Sequence, residues 1–270
     1  MRINTNMNAM IATNQMAKNT ALSGKSMEKL STGLRITKAG DDAAGLAISE
    51  KMRAQIRGME QADRNVQDGI SMVQTQEGAL EQAGNIAQRM RELGIQAGNS
   101  TLKTEDRNKI ATELKELNEE MGKIASETKF NGKAILDGTN GTMTIQAGAN
   151  DEKRVIKNIN LSSIQGTLST AVDVTTEAKA ASLVTTLDTA LESINNGRSQ
   201  LGAIQNRLEY TSSNLTTSTE NLSAAESRIR DVDVAKEMVH LSKLNILNQA
   251  SQAMVAQAKQ QPESVAQLLR

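Results

Sequence analysis

Two stripes of apolar residues repeat every seven positions and constrain the fold more than any other feature of the chain. The stripes consist of Met52, Met59, Val66, Val73 and Leu80, and of Leu201, Leu208, Leu215, Leu222 and Ile229. A seven-residue repeat places these side chains on one helix face, which needs a partner helix to cover it. Pro262 is the only proline among 270 residues, so helices can far exceed the usual length of about 11 residues. The stripes predict a mainly α, rod-shaped fold built as a long antiparallel helical bundle or coiled coil.

The middle of the chain has a different pattern. A set of apolar residues at helical spacing predicts a shorter amphipathic helix: Ile110, Leu114, Leu117, Met121 and Ile124. Residues 131–175 then contain NG and DG turn signals between short alternating runs such as TMTIQAG and VIKNINL, which are typical of β-hairpins. Helix is expected to resume near Thr176. We therefore predict a small β-hairpin insert at about 131–175 in an otherwise helical body.

Weaker apolar stripes mark both ends of the chain. They consist of Ile3, Met7 and Met10 at the start, and of Met238, Leu241, Leu244 and Leu247 near the end. Either end alone buries too little apolar surface to offset a chain entropy of about 1–2 kcal/mol per ordered residue. We expect both ends to be disordered in a monomer and to become helical only against each other and against neighbours.

Composition narrows the possible partners and compartments. The chain has no cysteine and a formal net charge of zero, which excludes disulfides and argues against nucleic-acid binding. The first 40 residues are locally basic but carry no aromatic side chain that could stack on a base, so we interpret them as a solvated or export-related face. No stretch approaches the about 18 consecutive apolar residues of a membrane span, and the N-terminus lacks the pattern of a cleaved secretory signal. Export would therefore need a route without a cleaved signal, and membrane insertion is not expected.

The acid pair in GDDAAGLAIS allows two interpretations. Asp41 and Asp42 could contribute to a divalent-cation site, but such a site needs six or more oxygen ligands and nothing nearby supplies the others. The order of a carboxylate followed by strong helix formers is typical of a helix start, where the acid caps free backbone N–H groups. We predict that Asp41 and Asp42 form a helix cap, with Gly40 and Gly45 allowing a bend or close packing there.

No candidate active site emerges from the remaining residues. His240 is the only histidine, so a catalytic or metal-binding constellation would have to be built around it. Its position beside the Met238 and Leu241 stripe favours a place on the flank of a helix. The sequence also lacks a glycine-rich phosphate loop. We expect no enzymatic activity, no cofactor and no metal ion.

Several segments together resemble bacterial flagellins. They are the opening MRINTN, the stretch beginning MEKLSTGLRITKAGDDAAGLAISEKM, the block QRMRELGIQAGNST, the segment FNGKAIL and the ending QAMVAQAKQQPESVAQLLR. The resemblance covers about the first 150 and the last 80 residues, in order. Long flagellins carry large outer domains in the middle, whereas here only the β insert and a short link remain, so the chain resembles a minimal form.

The resemblance implies a structural subunit that self-assembles into the flagellar filament for motility. Residues 1–42 with 231–270 would form the terminal coiled-coil domain that lines the inner tube, and residues 43–230 the helical body. Such subunits are secreted through the flagellar export channel without a cleaved signal and polymerise outside the cell. The implied partners are further copies of the chain, an export chaperone, the filament cap protein and junction proteins.

The resemblance also implies recognition by a host. In flagellins of this type a Toll-like receptor contacts the body helices, and the matching residues here are Gln88, Arg89, Leu93 and Glu113. Arg89 and Glu113 could equally serve as interhelical or filament-packing charges, and the two uses are compatible. Leu268, Leu269 and Arg270 match the flagellin C-terminus, which takes part in assembly and faces the chaperone.

Two rival structural functions remain open at this point. A hook–filament junction protein shares flagellin-like termini but assembles in only a few copies. The cytoplasmic hairpin of a chemoreceptor is also long and rich in Ala, Gln and Ser, but it should be helical across its centre, where this chain is rich in turns. The match over residues 27–81 favours the filament subunit.

Overall fold

The computed structural model describes the backbone of residues 6–268 and the side chains of residues 6–260. The elements follow one another as α1 (Met7–Thr32), α2 (Ala43–Ala97), α3 (Thr104–Glu127), β1 (Lys129–Phe130), β2 (Lys133–Ala134), β3 (Thr142–Gln146), β4 (Lys153–Lys157), α4 (Leu161–Ala171), α5 (Glu177–Arg230) and α6 (Val234–Leu268). The predicted mainly α fold with long helices and a small β-hairpin insert is confirmed.

The chain divides into two compact units. One unit consists of Met1–Ala54 with Asn221–Arg270, and the other of Gln55–Glu220. The first unit therefore joins residues from both ends of the chain, and the second is continuous in sequence.

Members of both heptad stripes lie in the core of the unit Gln55–Glu220. Val66, Val73 and Leu80 of α2 are fully buried, and Leu201 and Leu208 of α5 are almost completely so. Ion pairs between these helices join residues whose numbers run in opposite directions: Arg91 to Asp188 at 2.6 Å and Glu77 to Arg198 at 3.5 Å. The two helices therefore lie antiparallel, as the stripes predict.

The β insert consists of two separate antiparallel hairpins. β1 and β2 are joined by Asn131 and Gly132, which both have positive φ angles of 49° and 77°, as a tight hairpin turn requires. β3 and β4 pair from Thr142 opposite Lys157 to Gln146 opposite Lys153.

The hairpins are fastened to α2 by Gln76, a fully buried side chain. Its Nε2 donates hydrogen bonds to the carbonyl of Ile135 at 3.2 Å and to Oδ1 of Asn158 at 2.8 Å. One amide thus holds the segments that follow β2 and β4, which fixes both hairpins against the same helix.

Within residues 131–175, for which the sequence predicts hairpins and turns, the structure also contains the helix α4. Asn160 caps it, with Oδ1 accepting a hydrogen bond from the backbone N–H of Ser163 at 2.8 Å. Leu161 and Leu168, seven residues apart, are fully buried and hold the helix in place. The helix is short and rich in Ser, Thr and Gly, so its intrinsic helix propensity is weak and tertiary packing decides its structure.

The unit Met1–Ala54 with Asn221–Arg270 is built on the pairing of α1 with α6. Asn6 caps the start of α1, and Gly33 ends it with a left-handed φ of 72°. Immediately after that glycine the chain forms a short β-bridge in which Leu34 lies opposite Asp231. The backbone N–H of Arg35 donates to the carbonyl of Arg230 at 2.6 Å, and that of Val232 to the carbonyl of Gly33 at 3.0 Å.

Candidate interaction surfaces

The seam between α1 and α6 is unusually polar. Side-chain hydrogen bonds cross it from Asn6 Nδ2 to the carbonyl of Ala258 (2.6 Å), from Asn19 to Ser251 (3.4 Å), from Thr20 to Asn248 (3.5 Å), from Ser23 to Asn245 (3.5 Å) and from Ser26 to Glu237. The residue numbers rise on one helix as they fall on the other, so the pair is antiparallel. Asn19 and Ser26 are only 4% and 2% exposed, and they lie seven residues apart. The polar groups therefore occupy heptad positions that a stable coiled coil usually fills with apolar side chains.

Leu244 of α6 is almost completely buried, at 3% exposed, but most of the larger apolar side chains of these two helices face solvent. Their exposed fractions range between 39% and 71%, and they are Met7, Met10, Ile11, Leu22 and Met27 on α1, and Val234, Met238, Val239, Ile246, Leu247 and Met254 on α6. This arrangement differs from that of a soluble helical hairpin, in which most apolar residues face the partner helix and mostly polar residues face water. Large exposed apolar surfaces of this kind mark sites of protein–protein contact.

The acid pair lies in the segment that follows the β-bridge. Asp42 immediately precedes α2, and its Oδ1 accepts a hydrogen bond from the backbone N–H of Gly45 at 2.9 Å. Asp41 Oδ2 accepts from the hydroxyl of Thr37 at 3.0 Å and from the backbone N–H of Lys38 at 3.2 Å. These hydrogen bonds, with Thr37 contributing most, hold the pKa of Asp41 below its ordinary value of 3.8.

Close packing surrounds this helix start. A Cβ atom on Gly45 would meet the Asp42 carboxylate first and would lie 2.8 Å from Cδ1 of Ile36, which is 1% exposed. Any residue larger than glycine would therefore require the capping carboxylate of Asp42 and the end of the Ile36 side chain to shift. A Cβ on Gly40 would meet nothing within 4 Å, so only Gly45 is required by packing.

Arg230 ties the end of α5 to the start of α2. Its Nη1 lies 2.7 Å from Oε1 of Glu50 and 3.9 Å from Oε1 of Glu226, and its side chain is 12% exposed. The carbonyl of Arg230 also accepts from the N–H of Arg35. The sequence gives little indication of this ion pair, because Glu50 and Arg230 are 180 positions apart.

Three of the four residues matched to receptor recognition lie on an exposed surface. Gln88, Arg89 and Glu113 are exposed, and Arg89 bridges Glu92 at 3.1 Å and Glu113 at 3.2 Å. The hydrogen bond that Arg89 donates to the carboxylate of Glu92, followed by the one that it donates to Glu113, raises the pKa of Arg89. Leu93, in contrast, is 3% exposed and belongs to the core. Arg89 on α2 and Glu113 on α3 thus form an interhelical ion pair at the surface, whereas Leu93 is buried.

The remaining candidate residues fall near or beyond the edge of the described part. Leu269 and Arg270 lie outside the described residues, and for Leu268 only a helical backbone is described. His240 is exposed on α6. Among the side chains of residues 6–260, no three or more His, Cys, Asp or Glu gather where they could hold a metal ion. None of the helices in the described ranges is both long enough and apolar enough to cross a membrane.

Two solved structures similar to this chain are those of flagellar proteins. A crystal structure of Bacillus cereus flagellin is 35% identical with a TM-score of 0.52, covering 60% of this chain and 94% of that one. A putative flagellar hook-associated protein from Vibrio parahaemolyticus has a TM-score of 0.59 over 71% of this chain and all of that one. At 13% identity the second likeness shows the fold alone.

Sequence comparisons cover nearly the whole chain. Residues 3–141 match the family model of the bacterial flagellin N-terminal helical region, and residues 184–269 match that of the C-terminal helical region. The chain is 53% identical to a flagellin of Halalkalibacterium halodurans and 47% identical to a flagellin of Bacillus subtilis, in both cases over the full length of both proteins. It is also 45% identical to the flagellar filament 33 kDa core protein of Treponema phagedenis, again over the full length of both. The chain therefore belongs to the bacterial flagellin family.

Proposed function

We propose that this chain is a structural subunit that polymerises with copies of itself into the bacterial flagellar filament and so serves motility. The observation that carries the proposal is the pairing of α1 with α6 through polar side-chain hydrogen bonds while large apolar side chains lie exposed on their outer faces. Burying apolar surface contributes about 25 cal/mol per Å², so neighbouring copies that cover these faces are stabilised by the contact.

Several further properties belong to this proposal. The unpolymerised subunit leaves the cell through the flagellar export channel, held before export by a chaperone that recognises the end containing Leu268, Leu269 and Arg270. It adds to the filament beneath the cap protein, outside the cell, and junction proteins connect the filament to the hook. Residues 1–42 with 231–270 form the inner tube, and residues 43–230 form the body. The chain acts as a structural protein and not as an enzyme.

Electron microscopy of the purified full-length chain tests polymerisation directly. We expect long filaments after seeding or salting-out, whereas a junction protein would form only short or ring-like assemblies. Ile246→Glu places a charge on the outer face of α6, where Ile246 is 66% exposed, and should abolish filament growth because a charge buried in a contact is costly. Ile246→Leu keeps the apolar surface and serves as the matched control. Filaments formed normally by Ile246→Glu would contradict the proposed contact.

We further propose that Gln88, Arg89 and Glu113 present a polar surface to a host Toll-like receptor. Arginines at the centre of protein contacts often contribute strongly to affinity, and the two ion pairs of Arg89 hold its guanidinium in place. Leu93, being buried, enters the proposal as a packing residue of the same helix.

Receptor binding can be measured with the receptor ectodomain and unpolymerised subunit. Arg89→Ala should weaken binding by about tenfold or more. Arg91→Ala is the matched control, because Arg91 lies two positions away and forms an ion pair of similar exposure with Asp188 on α5. Equal losses in both variants would point to a general effect on the helix and contradict the recognition role.

A further inference from the structure

Exposed methionines are concentrated on the two terminal helices. Met7, Met10, Met27, Met238 and Met254 are between 48% and 61% exposed, and all lie on α1 or α6. In the unit Gln55–Glu220, by contrast, Met59, Met72, Met90 and Met121 are at most 9% exposed. Within the described side chains, the exposed thioethers thus share the surface on which assembly is proposed to depend.

From this distribution we propose that the five exposed methionines are peroxide-sensitive modification sites, and that their oxidation prevents the unassembled subunit from joining a polymer. The inference rests on the proposed function, because it concerns the same outer faces of α1 and α6. The co-reactant is hydrogen peroxide or a peroxide of the same reactivity.

The reaction balances without any further reagent. The thioether sulfur attacks one peroxide oxygen, an S–O bond forms, the O–O bond breaks, and the second oxygen leaves as water after proton transfer. Methionine is oxidised to its sulfoxide and the peroxide is reduced. Because the chain has no cysteine, no thiolate in it competes for the oxidant.

Oxidation changes the character of these faces. A sulfoxide is polar and a hydrogen-bond acceptor, whereas the thioether it replaces is apolar, like the exposed side chains of Ile11, Leu22 and Ile246 on the same two helices. Covering a sulfoxide with apolar surface leaves its oxygen without a donor, which disfavours the contact. In an assembled polymer the same methionines would be covered, so oxidation should affect subunits before assembly much more than after it.

Peroxide treatment of the purified full-length chain tests the inference. Peptide mass spectrometry should find sulfoxide mainly at the five exposed positions. Because each uncompensated sulfoxide disfavours burial, the critical concentration for polymerisation should rise by about tenfold or more. Incubation with methionine sulfoxide reductases of both stereochemical classes should restore it. Preformed filaments given the same dose should retain unoxidised methionine at these positions.

Two variants assign the effect to these residues. The first variant combines Met7→Leu, Met10→Leu, Met27→Leu, Met238→Leu and Met254→Leu. After peroxide treatment its critical concentration should stay within about twofold of the untreated value, because leucine preserves the apolar surface and is not oxidised. The control combines Met16→Leu, Met52→Leu and Met143→Leu, which replace partly buried methionines, and should stay as sensitive as the parent chain.

The outcomes separate this inference from the proposed function. Failure of the untreated chain to polymerise would contradict the proposed function. Normal polymerisation of a chain oxidised at all five positions, or undiminished peroxide sensitivity of the five-leucine variant, would overturn the inference. If the five-leucine variant assembles poorly even without peroxide, the parent chain can be partly oxidised and then polymerised. The subunits left outside the polymer should then be enriched in sulfoxide at the five positions. An equal sulfoxide content in polymerised and unpolymerised subunits would overturn the inference.

Discussion

At the residue scale, Asp42 fixes where α2 begins, because its carboxylate accepts from the backbone N–H of Gly45 at 2.9 Å. Asp42→Ala should destabilise the folded chain by about 1 kcal/mol, since it removes this cap, whereas Asp42→Asn should retain most of the stability. Urea unfolding and hydrogen exchange at Gly45 measure both effects. A loss as large for Asn as for Ala would contradict the capping role, because asparagine is an equally good cap.

Asp41 gives a prediction about pH. Its pKa lies below the ordinary value of 3.8 because Thr37 and Lys38 donate hydrogen bonds to the carboxylate. A lowered pKa in the folded state contributes stability above the unfolded pKa and loses it as the pH falls through the folded pKa. We therefore expect the amide of Lys38 to lose exchange protection only below about pH 3.8, with Asp41→Asn showing reduced protection at all pH values. Unchanged protection in Asp41→Asn would contradict this account.

The sequence of the acid pair predicts a helix start but not the different hydrogen bonds of its two members. Adjacent aspartates have the same chemistry, and a helix boundary is uncertain by one or two positions in sequence. In the structure Asp42 caps α2, while Asp41 closes the preceding turn onto Thr37 and Lys38. The contact of Arg89 with Glu113 also depends on how α2 packs against α3. The sequence alone therefore allows an interhelical ion pair but does not determine it.

At the element scale, we expect the polar seam of α1 and α6 to keep their pairing weak and to set its register. Asn19 is 4% exposed and donates to Ser251, and a buried asparagine at a heptad position lowers stability while specifying alignment. Asn19→Leu should therefore stabilise the pair by about 1–2 kcal/mol, seen as slower hydrogen exchange in both helices of the unpolymerised chain. It should also make the filaments less regular, because the register is less well specified.

The matched control for the seam is Asn14→Leu, which introduces the same side chain at an exposed position of α1. It should leave exchange in α6 unchanged. Equal protection in Asn14→Leu and Asn19→Leu would indicate that leucine acts through helix propensity, and the seam would then not limit pairing.

How well the sequence predicts an element depends on what stabilises it. The seven-residue stripes predict α2 and α5 well, because their apolar positions coincide with buried residues such as Val66, Leu80 and Leu208. The helix α4 is not apparent from sequence, since only its packing makes a Ser-, Thr- and Gly-rich segment helical. The terminal stripes indicate helices, but Met7 and Met10 lie half exposed while Asn19 and Ser26 are buried. An apolar pattern cannot distinguish a face that covers its own partner from one left for a neighbour.

At the scale of the whole molecule, the family could be predicted from sequence because its segments are spread in order over both ends of the chain. The matches to the N- and C-terminal helical regions of flagellins confirm that resemblance. The assignment of apolar faces to particular neighbours in a polymer could not be predicted, since it depends on contacts between copies that no single chain contains.

The last prediction concerns the C-terminal segment. Deleting residues 231–270 removes all of α6, and with it the partners of Asn19 and Ser26 and the bridge between Leu34 and Asp231. The heptad core of the unit Gln55–Glu220 contains Val66, Leu80 and Leu208 and loses none of its residues. Circular dichroism should therefore show a folded helical protein with a cooperative unfolding transition.

The same truncated chain should remain soluble and fail to extend filament seeds, because one of the two apolar outer faces is gone and the other lies on a helix without its partner. Sedimentation and electron microscopy measure this, with the full-length chain under identical conditions as the control. If the truncated chain lost both its helical signal and its ability to polymerise, α6 would be needed for folding of the body. Continued filament growth by the folded truncation would show that the terminal helices do not hold the polymer together, which would overturn the proposed basis of assembly.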